Sequence, residues 1–166
     1  MGKKIIVVVG GNGYLGKSFV SILKNQGMTI IVLDISDLEN STKVDSQYDF
    51  FVKTNINDDD SLSKSIEKLK SKFPRIDCVI NTAYPKNKNY GKSVYDISLE
   101  DFNQHLKLHL GGYFNVMQKF GAFFVEQGYG NIINIASIQG VMAPKFSHYS
   151  GTKMTSPIEY TASKSG

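Results

Sequence analysis

Only one cysteine, Cys78, occurs among the 166 residues, and it lies in an apolar run. A single thiol cannot close an internal disulfide, and such sparing use of cysteine fits a reducing compartment. Proline is scarce too, at four residues, and neither a Pro-rich linker nor an internal repeat divides the chain. With 41% hydrophobic residues, one core and a single domain over 1–166 are expected. Long hydrophobic runs are missing. Lys3 and Lys4 precede only the apolar residues Ile5 to Val9, too few for a signal-peptide core or a membrane span. The expectation is therefore a cytoplasmic protein without a membrane partner. Charge of one sign is not concentrated either: the formal net charge of +4 is spread along the chain. One basic run with interleaved aromatics, Tyr84 to Tyr95 with Lys86, Lys88 and Lys92, reads first as a solvated loop and second as a way to draw in an anionic substrate. Nucleic-acid binding has little support.

What is present begins with Lys4 to Gly16, five apolar residues followed by Gly10, Gly11, Asn12, Gly13, Tyr14, Leu15 and Gly16. The apolar run suits a strand buried on both faces. Glycines at 10, 13 and 16 let the backbone turn sharply, approach a pyrophosphate and begin a helix near Tyr14, whose N–H groups and dipole face the anion. A tight turn that binds nothing is the competing reading of such spacing alone. Asp34 then closes a second apolar run, Thr29 to Leu33, where a carboxylate can accept from an adenosine ribose. No Arg or Lys follows among the next five residues to receive a 2′-phosphate, so NAD is expected over NADP. The competing reading of Asp34 is an ordinary turn residue.

Apolar strands alternate with helical periods, the pattern of an α/β, doubly wound parallel sheet. Strands are expected at about 4–9, 29–33, 49–53, 77–81 and 131–135. Between the third and fourth, Asp58, Asp59 and Asp60 suit a helix start, Lys68, Lys70 and Lys72 its end, and Leu62, Ile66, Leu69 and Phe73 share a stripe; Pro74 helps to stop it. A longer helix is expected from Ser98, capped with Asp101, to about Gln127, with Phe102, Leu106, Leu110, Met117, Phe120 and Phe124 as core positions. Gly111 and Gly112 interrupt it, which suggests close packing there.

The fifth strand leads to Ser137, just past a parallel strand's carboxyl end, where ligands bind in such folds. Two Tyr-x-x-x-Lys spacings follow, Tyr149 with Lys153 and Tyr160 with Lys164, and each could place phenol and ammonium on one helical face. Local signals favour the second. Ser156 suits an N-cap, Pro157 the first helical position and Glu159 the far side of a capping box, whereas Gly151 and Pro157 work against a helix through the first pair.

In this order, the glycine loop, Asp34, Asn55-Ile56-Asn57-Asp58, Asn81-Thr82-Ala83, Ser137 and Tyr160-Thr161-Ala162-Ser163-Lys164 resemble the short-chain dehydrogenase/reductases, whose sheet is a Rossmann fold. The resemblance implies an NAD-dependent oxidoreductase acting on a small-molecule hydroxyl or carbonyl, with no metal implied. It places Asn55 and Ile56 beside the adenine, Asn81, Thr82 and Ala83 at the ribose and strand crossing, and Ser137, Tyr160 and Lys164 as the catalytic group, the last two also touching cofactor. Where the family usually carries Asn in a proton path, His109 stands here, as a relay or as a structural residue. The stretch from Gly140 to Pro157 looks like bacterial members associated with flagellin modification and surface sugars. The glycine spacing also suits the longer branch of the family, so a nucleotide-sugar epimerase or dehydratase, and an inactive NAD-binding scaffold, are the alternatives. Family members continue beyond the position of Gly166. The expectation is thus a fragment that binds NAD weakly and turns over little, from a parent that forms a homodimer or tetramer.

Overall fold

The computed structural model describes residues 2–36, 48–152 and 154–166. Five parallel strands, β1 (Ile5–Val9), β2 (Thr29–Asp34), β3 (Phe50–Lys53), β4 (Cys78–Asn81) and β5 (Ile132–Asn134), form one sheet in the order β3-β2-β1-β4-β5. The connection after β1 runs outward through helix α1 (Tyr14–Asn25) to β2; the one after β3 runs back through α2 (Asp59–Lys72) to β4. The strand order therefore reverses between β1 and β4, the place where α/β sheets open a crevice at their carboxyl ends.

Alternation along β1 sorts the core into two layers. Ile5, Val7 and Val9 join Leu62, Ile66 and Leu69 of α2 and Val116, Phe120, Phe123 and Phe124 of a later helix on one face. Ile6 and Val8 join Ile30, Val32, Ile80 and Val20 of α1 on the other. Both faces are thus apolar, as parallel strands covered by helices require. Of the expected helical core positions, Phe120 and Phe124 are buried, Phe102, Leu106 and Leu110 are only half-buried, and Met117 is 43% exposed, because Val116 and Phe120 already point the helix's apolar stripe at the sheet.

Local chemistry sets the helix ends. Asp58 caps α2 by accepting from Ser61 N–H at 3.0 Å, with Asp59 and Asp60 in the first turn. Replacing Asp58 by Ala is expected to cost ~1 kcal/mol in denaturant unfolding. Ser98 caps α3 (Leu99–Leu106) by accepting from Asp101 N–H at 3.0 Å, while its hydroxyl donates to the Asp101 carboxylate. The expected helix to Gln127 is helical throughout, as α3, a wider π-turn segment Lys107–Gly111, and α4 (Gly112–Gln127). Close packing does not account for Gly111, which is exposed and has open space where a Cβ would stand.

The chain divides into two compact units, Met1–Ala83 with Tyr113–Ile135, and Tyr84–Gly112 with Ala136–Gly166. The first holds the sheet. The second holds α3, the π segment, short turns at Ile138–Gly140 and Phe146–Tyr149, and α5 (Ile158–Ser165). No helix among the described residues is long and apolar enough to cross a membrane.

Candidate functional site

In the first unit, the chain leaving β1 turns at Gly10, whose φ of 73° is costly for any residue with a Cβ. A Cβ there would also stand 2.7 Å from Ala83 Cα. The turn is fixed from both sides, since Gly10 N–H donates to Leu33 O at 2.7 Å and the Thr82 hydroxyl donates to Val9 O at 2.8 Å. Gly11 is buried against the Val32 side chain. At Gly16, in the first turn of α1, a Cβ would collide with the Gly10 carbonyl oxygen. Helix α1 starts after Gly13 with no side-chain cap and no acidic residue in its first turn, and Tyr14 and Leu15 at that start are exposed. Bare backbone at a helix start, with no Cβ in the way, is a fitting seat for a diphosphate.

Asp34 supports that loop directly. One carboxylate oxygen accepts from Asn12 N–H at 3.0 Å; the other accepts from Ser36 N–H at 3.0 Å and from the Ser36 hydroxyl at 2.9 Å. A carboxylate offers about four lone-pair positions, so acceptor capacity remains for a ribose hydroxyl. Residues 37–39, the end of the stretch without Arg or Lys, lie outside the described residues.

Other expected nucleotide contacts are placed less openly. Asn55 folds its side-chain oxygen onto Asn57 N–H at 3.0 Å. Ile56 is 7% exposed within the core, and its carbonyl accepts from the Asn115 amide at 2.9 Å. Asn81 is fully buried: its amide donates to Asn134 Oδ1 at 3.2 Å and its oxygen accepts from Ala83 N–H at 3.3 Å. Asn81 therefore ties β4 to β5 and shapes the strand exit, with its side-chain atoms already engaged.

In the second unit, Ser137 opens the turn Ile138–Gly140 and accepts from Gln139 N–H at 3.2 Å. That contact orients the Ser137 oxygen and leaves its own O–H to donate. Gln139 Oε1 accepts from the hydroxyls of Ser156 and Thr161, both at 3.0 Å, and a Cβ on Gly140 would collide with Lys164 O. The Ser137 turn is thus packed on α5, which carries Tyr160 and Lys164 one turn apart.

The capping box expected at Ser156 and Glu159 does not form. Pro157 is the N-cap of α5 without a side-chain bond, the Ser156 hydroxyl is turned to Gln139, and Glu159 is fully buried and accepts from Gly91 N–H at 2.9 Å. Tertiary partners outcompete the local cap here. As for the alternative pair, Tyr149 ends a short 3-10 turn and Gly151 adopts a φ of 77°, so no helical face continues beyond Tyr149; Lys153 lies outside the described residues.

Around Tyr160 lies an aromatic shell that sequence reading treated as a solvated loop. Tyr84 meets the Tyr160 ring edge-on at 5.6 Å and the His109 ring at 4.7 Å, and its hydroxyl donates to Tyr90 at 2.7 Å. Lys164 Nζ is 5.8 Å from the Tyr84 ring centre and 5.9 Å from that of Tyr160. Burial pushes the Lys164 ammonium below its ordinary pKa. His109, 1% exposed, is pushed down to about 3 by burial first and then by Lys164 and His105, so it is neutral near pH 7. Burial also raises the Tyr84 phenol, with the Tyr90 hydrogen bond adding to the shift. The signal available for this shell was His105 and His109, four apart on one helical face, with Tyr84 and Tyr90 upstream. Among the described residues, no group of three or more His, Cys, Asp or Glu is placed to hold a metal ion.

The short chain dehydrogenase family model matches residues 4–166. The chain is 39% identical over 171 residues to Post-translational flagellin modification protein A of Campylobacter coli, covering 98% of this chain and 66% of that protein. It is 27% identical over 157 residues to 3-oxoacyl-(acyl-carrier-protein) reductase FabG of Thermotoga maritima, covering 90% and 62%. The chain thus spans less than two thirds of the length of these relatives. In fold it is similar to a short chain dehydrogenase from Leptospira borgpetersenii crystallised with bound NAD+, with a TM-score of 0.82 at 24% identity over 99% of this chain and 61% of that one.

Proposed function

Because this chain belongs to the short-chain dehydrogenases, we propose that it serves an NAD-dependent oxidoreductase that moves hydride between nicotinamide and a hydroxyl or carbonyl of a polar, sugar-derived substrate. The observation that carries the reading is the Tyr160–Lys164 pair, one turn apart on α5, which is locked through Gln139 and Gly140 to the Ser137 turn. When bound, the cofactor supplies the hydride acceptor or donor. The protein supplies the rest. Gly10 to Gly16 and the start of α1 hold the diphosphate, and Asp34 accepts from ribose hydroxyls while repelling a 2′-phosphate.

Tyr160 gives a proton to the nascent alkoxide in carbonyl reduction and takes one from the alcohol in oxidation. An ordinary phenol is too weak an acid for this near neutrality, with a pKa of about 10. Lys164, with its Nζ 5.9 Å from the Tyr160 ring centre, is the group that would hold the nicotinamide ribose hydroxyls beside that phenol. Ser137 donates its free O–H to the substrate oxygen, fixing it and stabilising charge that grows there. The flagellin modification named for the Campylobacter coli relative fits the sugar-derived reading of residues 140–157.

Cofactor choice is tested by titrating NADH and NADPH into wild type and Asp34→Ala. Wild type is expected to favour NADH, and the variant to lose about 10-fold or more of that preference, given ~1.5–3 kcal/mol for a hydrogen bond to a charged group. Reaction class is tested by screening alcohols and keto-sugars for a change in nicotinamide absorbance. Net NADH formation supports the oxidoreductase; an epimerised product without net NADH would replace it with an epimerase.

A further inference from the structure

Three buried polar atoms of the second unit stand apart from the chemistry above. His105 is fully buried on α3, and neither of its ring nitrogens has a hydrogen-bond partner among the described residues. Glu159 is fully buried on α5; Oε1 accepts from Gly91 N–H, while Oε2 has no such partner. Tyr90 stacks on His105 at 5.1 Å and the next residue, Gly91, donates to Glu159 at 2.9 Å, so both side chains border one turn of the loop; there the Glu159 carboxylate favours the charged imidazole, although burial, as the larger effect, and Lys86 hold the His105 pKa below the ordinary value.

Rings wall in His105: Tyr90 stacks on it at 5.1 Å and His109 at 5.9 Å, and Tyr84 meets it edge-on at 6.1 Å. Buried polar atoms without a partner are rare and costly, at ~1–3 kcal/mol each, and a polar pocket offering two or more partners is where an internal water resides.

We propose that His105 and Glu159 hold one internal water between an imidazole N–H and Oε2, and that this pair is a positioning device that fixes the turn at Gly91, and with it Tyr84, against the helix bearing Tyr160. The direction of the bonds follows from cooperativity. A chain in which imidazole N–H donates to water and water donates to carboxylate polarises each link toward the anion. Gly91, with a φ of 89°, donates to the other carboxylate oxygen, so the loop that presents Tyr84 and Tyr90 is tied to α5 by the residue preceding Tyr160. The titratable groups facing the pair are Tyr84, Lys86 and Tyr90 from the loop and His109 from the π segment, with Tyr160 and Lys164 of α5 on the far side against Tyr84. The positioning consequence rests on the proposed role of Tyr160; the water-linked pair does not.

The test is nuclear magnetic resonance on this chain without cofactor, so that its failure is distinct from failure of the oxidoreductase reading. In ¹⁵N-histidine-labelled wild type, His105 should show one fixed neutral tautomer and a cross-peak from its ring protons to a long-lived internal water. In Glu159→Gln, Gly91 N–H still requires the oxygen, so the amide nitrogen takes the place of Oε2 and donates; the His105 nitrogen facing the pocket should then lose its proton to the other ring nitrogen. Gly91 N–H should remain protected from exchange in Glu159→Gln and exchange at least about 10-fold faster in Glu159→Ala. A His105 tautomer unchanged by Glu159→Gln, or a dry pocket in wild type, overturns the pair; equal Gly91 exchange in all three proteins overturns the positioning role. The water cross-peak needs no variant, so the proposal remains open to refutation even where a substituted chain fails to fold.

Discussion

Replacing Tyr160 by Phe is expected to lower the kcat of the proposed oxidoreductase about 10²–10⁴-fold, the range a positioned acid or base contributes, with little change in dinucleotide affinity. The change removes one oxygen and keeps the ring. The edge-on contact with Tyr84 at 5.6 Å is therefore retained, and α5 keeps its packing on the Gln139 turn. What is lost is the proton that must reach or leave the substrate oxygen as hydride moves. The diphosphate seat proposed at Gly10 to Gly16 contains no part of this helix, which is why binding and turnover should separate. Steady-state rates and calorimetric titration of NADH on the same preparations check both halves. A variant with unchanged kcat would remove Tyr160 from the chemistry.

Gly16→Val is expected to do the opposite kind of damage. Even a Cβ at this position collides with the Gly10 carbonyl oxygen, and that oxygen also accepts from Gly13 N–H at 3.0 Å and from the Thr82 hydroxyl at 3.1 Å, so the loop has nowhere to move without breaking those bonds. Overpacking of this kind costs ~1–3 kcal/mol. For a chain of this length that corresponds to a fall in Tm of roughly 2–12 °C. Dinucleotide binding should be lost even in the fraction that folds, because the backbone proposed to receive the diphosphate is displaced. Gly121→Ala is the matched control: open space surrounds its Cβ position on α4, and removing a glycine from a helix interior should raise stability by ~0.5–1 kcal/mol. Thermal unfolding of the three proteins tests the contrast.

Much of the sheet was legible in the chain because its signals are local and doubled. Ile5 to Val9 is apolar on both faces, and Gly10, Gly13 and Gly16 follow at once; no helix or amphipathic strand accounts for that combination. Ser98 caps its helix with Asp101 as expected, and the acidic start expected at Asp58 to Asp60 is where α2 begins, with Asp58 as its cap. The errors fall where distant partners decide. Ser156 and Glu159 have the spacing of a capping box, yet Gln139 and Gly91, remote in sequence, claim them. Gly111 looks like a packing glycine but lies at the end of a π segment in open space. Tyr84 and Tyr90 sit among lysines and read as solvated; the Lys86 ammonium instead lies 5.1 and 4.8 Å from their ring centres, and the rings enclose His105 and His109. Polar aromatics satisfied by one another leave no periodic trace in a sequence.

In the proposed function the glycine loop is the dinucleotide seat on which every later step depends. Calorimetric titration of NADH into wild type, Tyr160→Phe and folded Gly16→Val tests it most directly. The expected result is comparable binding to the first two, weaker binding of NADPH, and none to Gly16→Val; equal heats with Gly16→Val, or no binding to wild type at all, would contradict it.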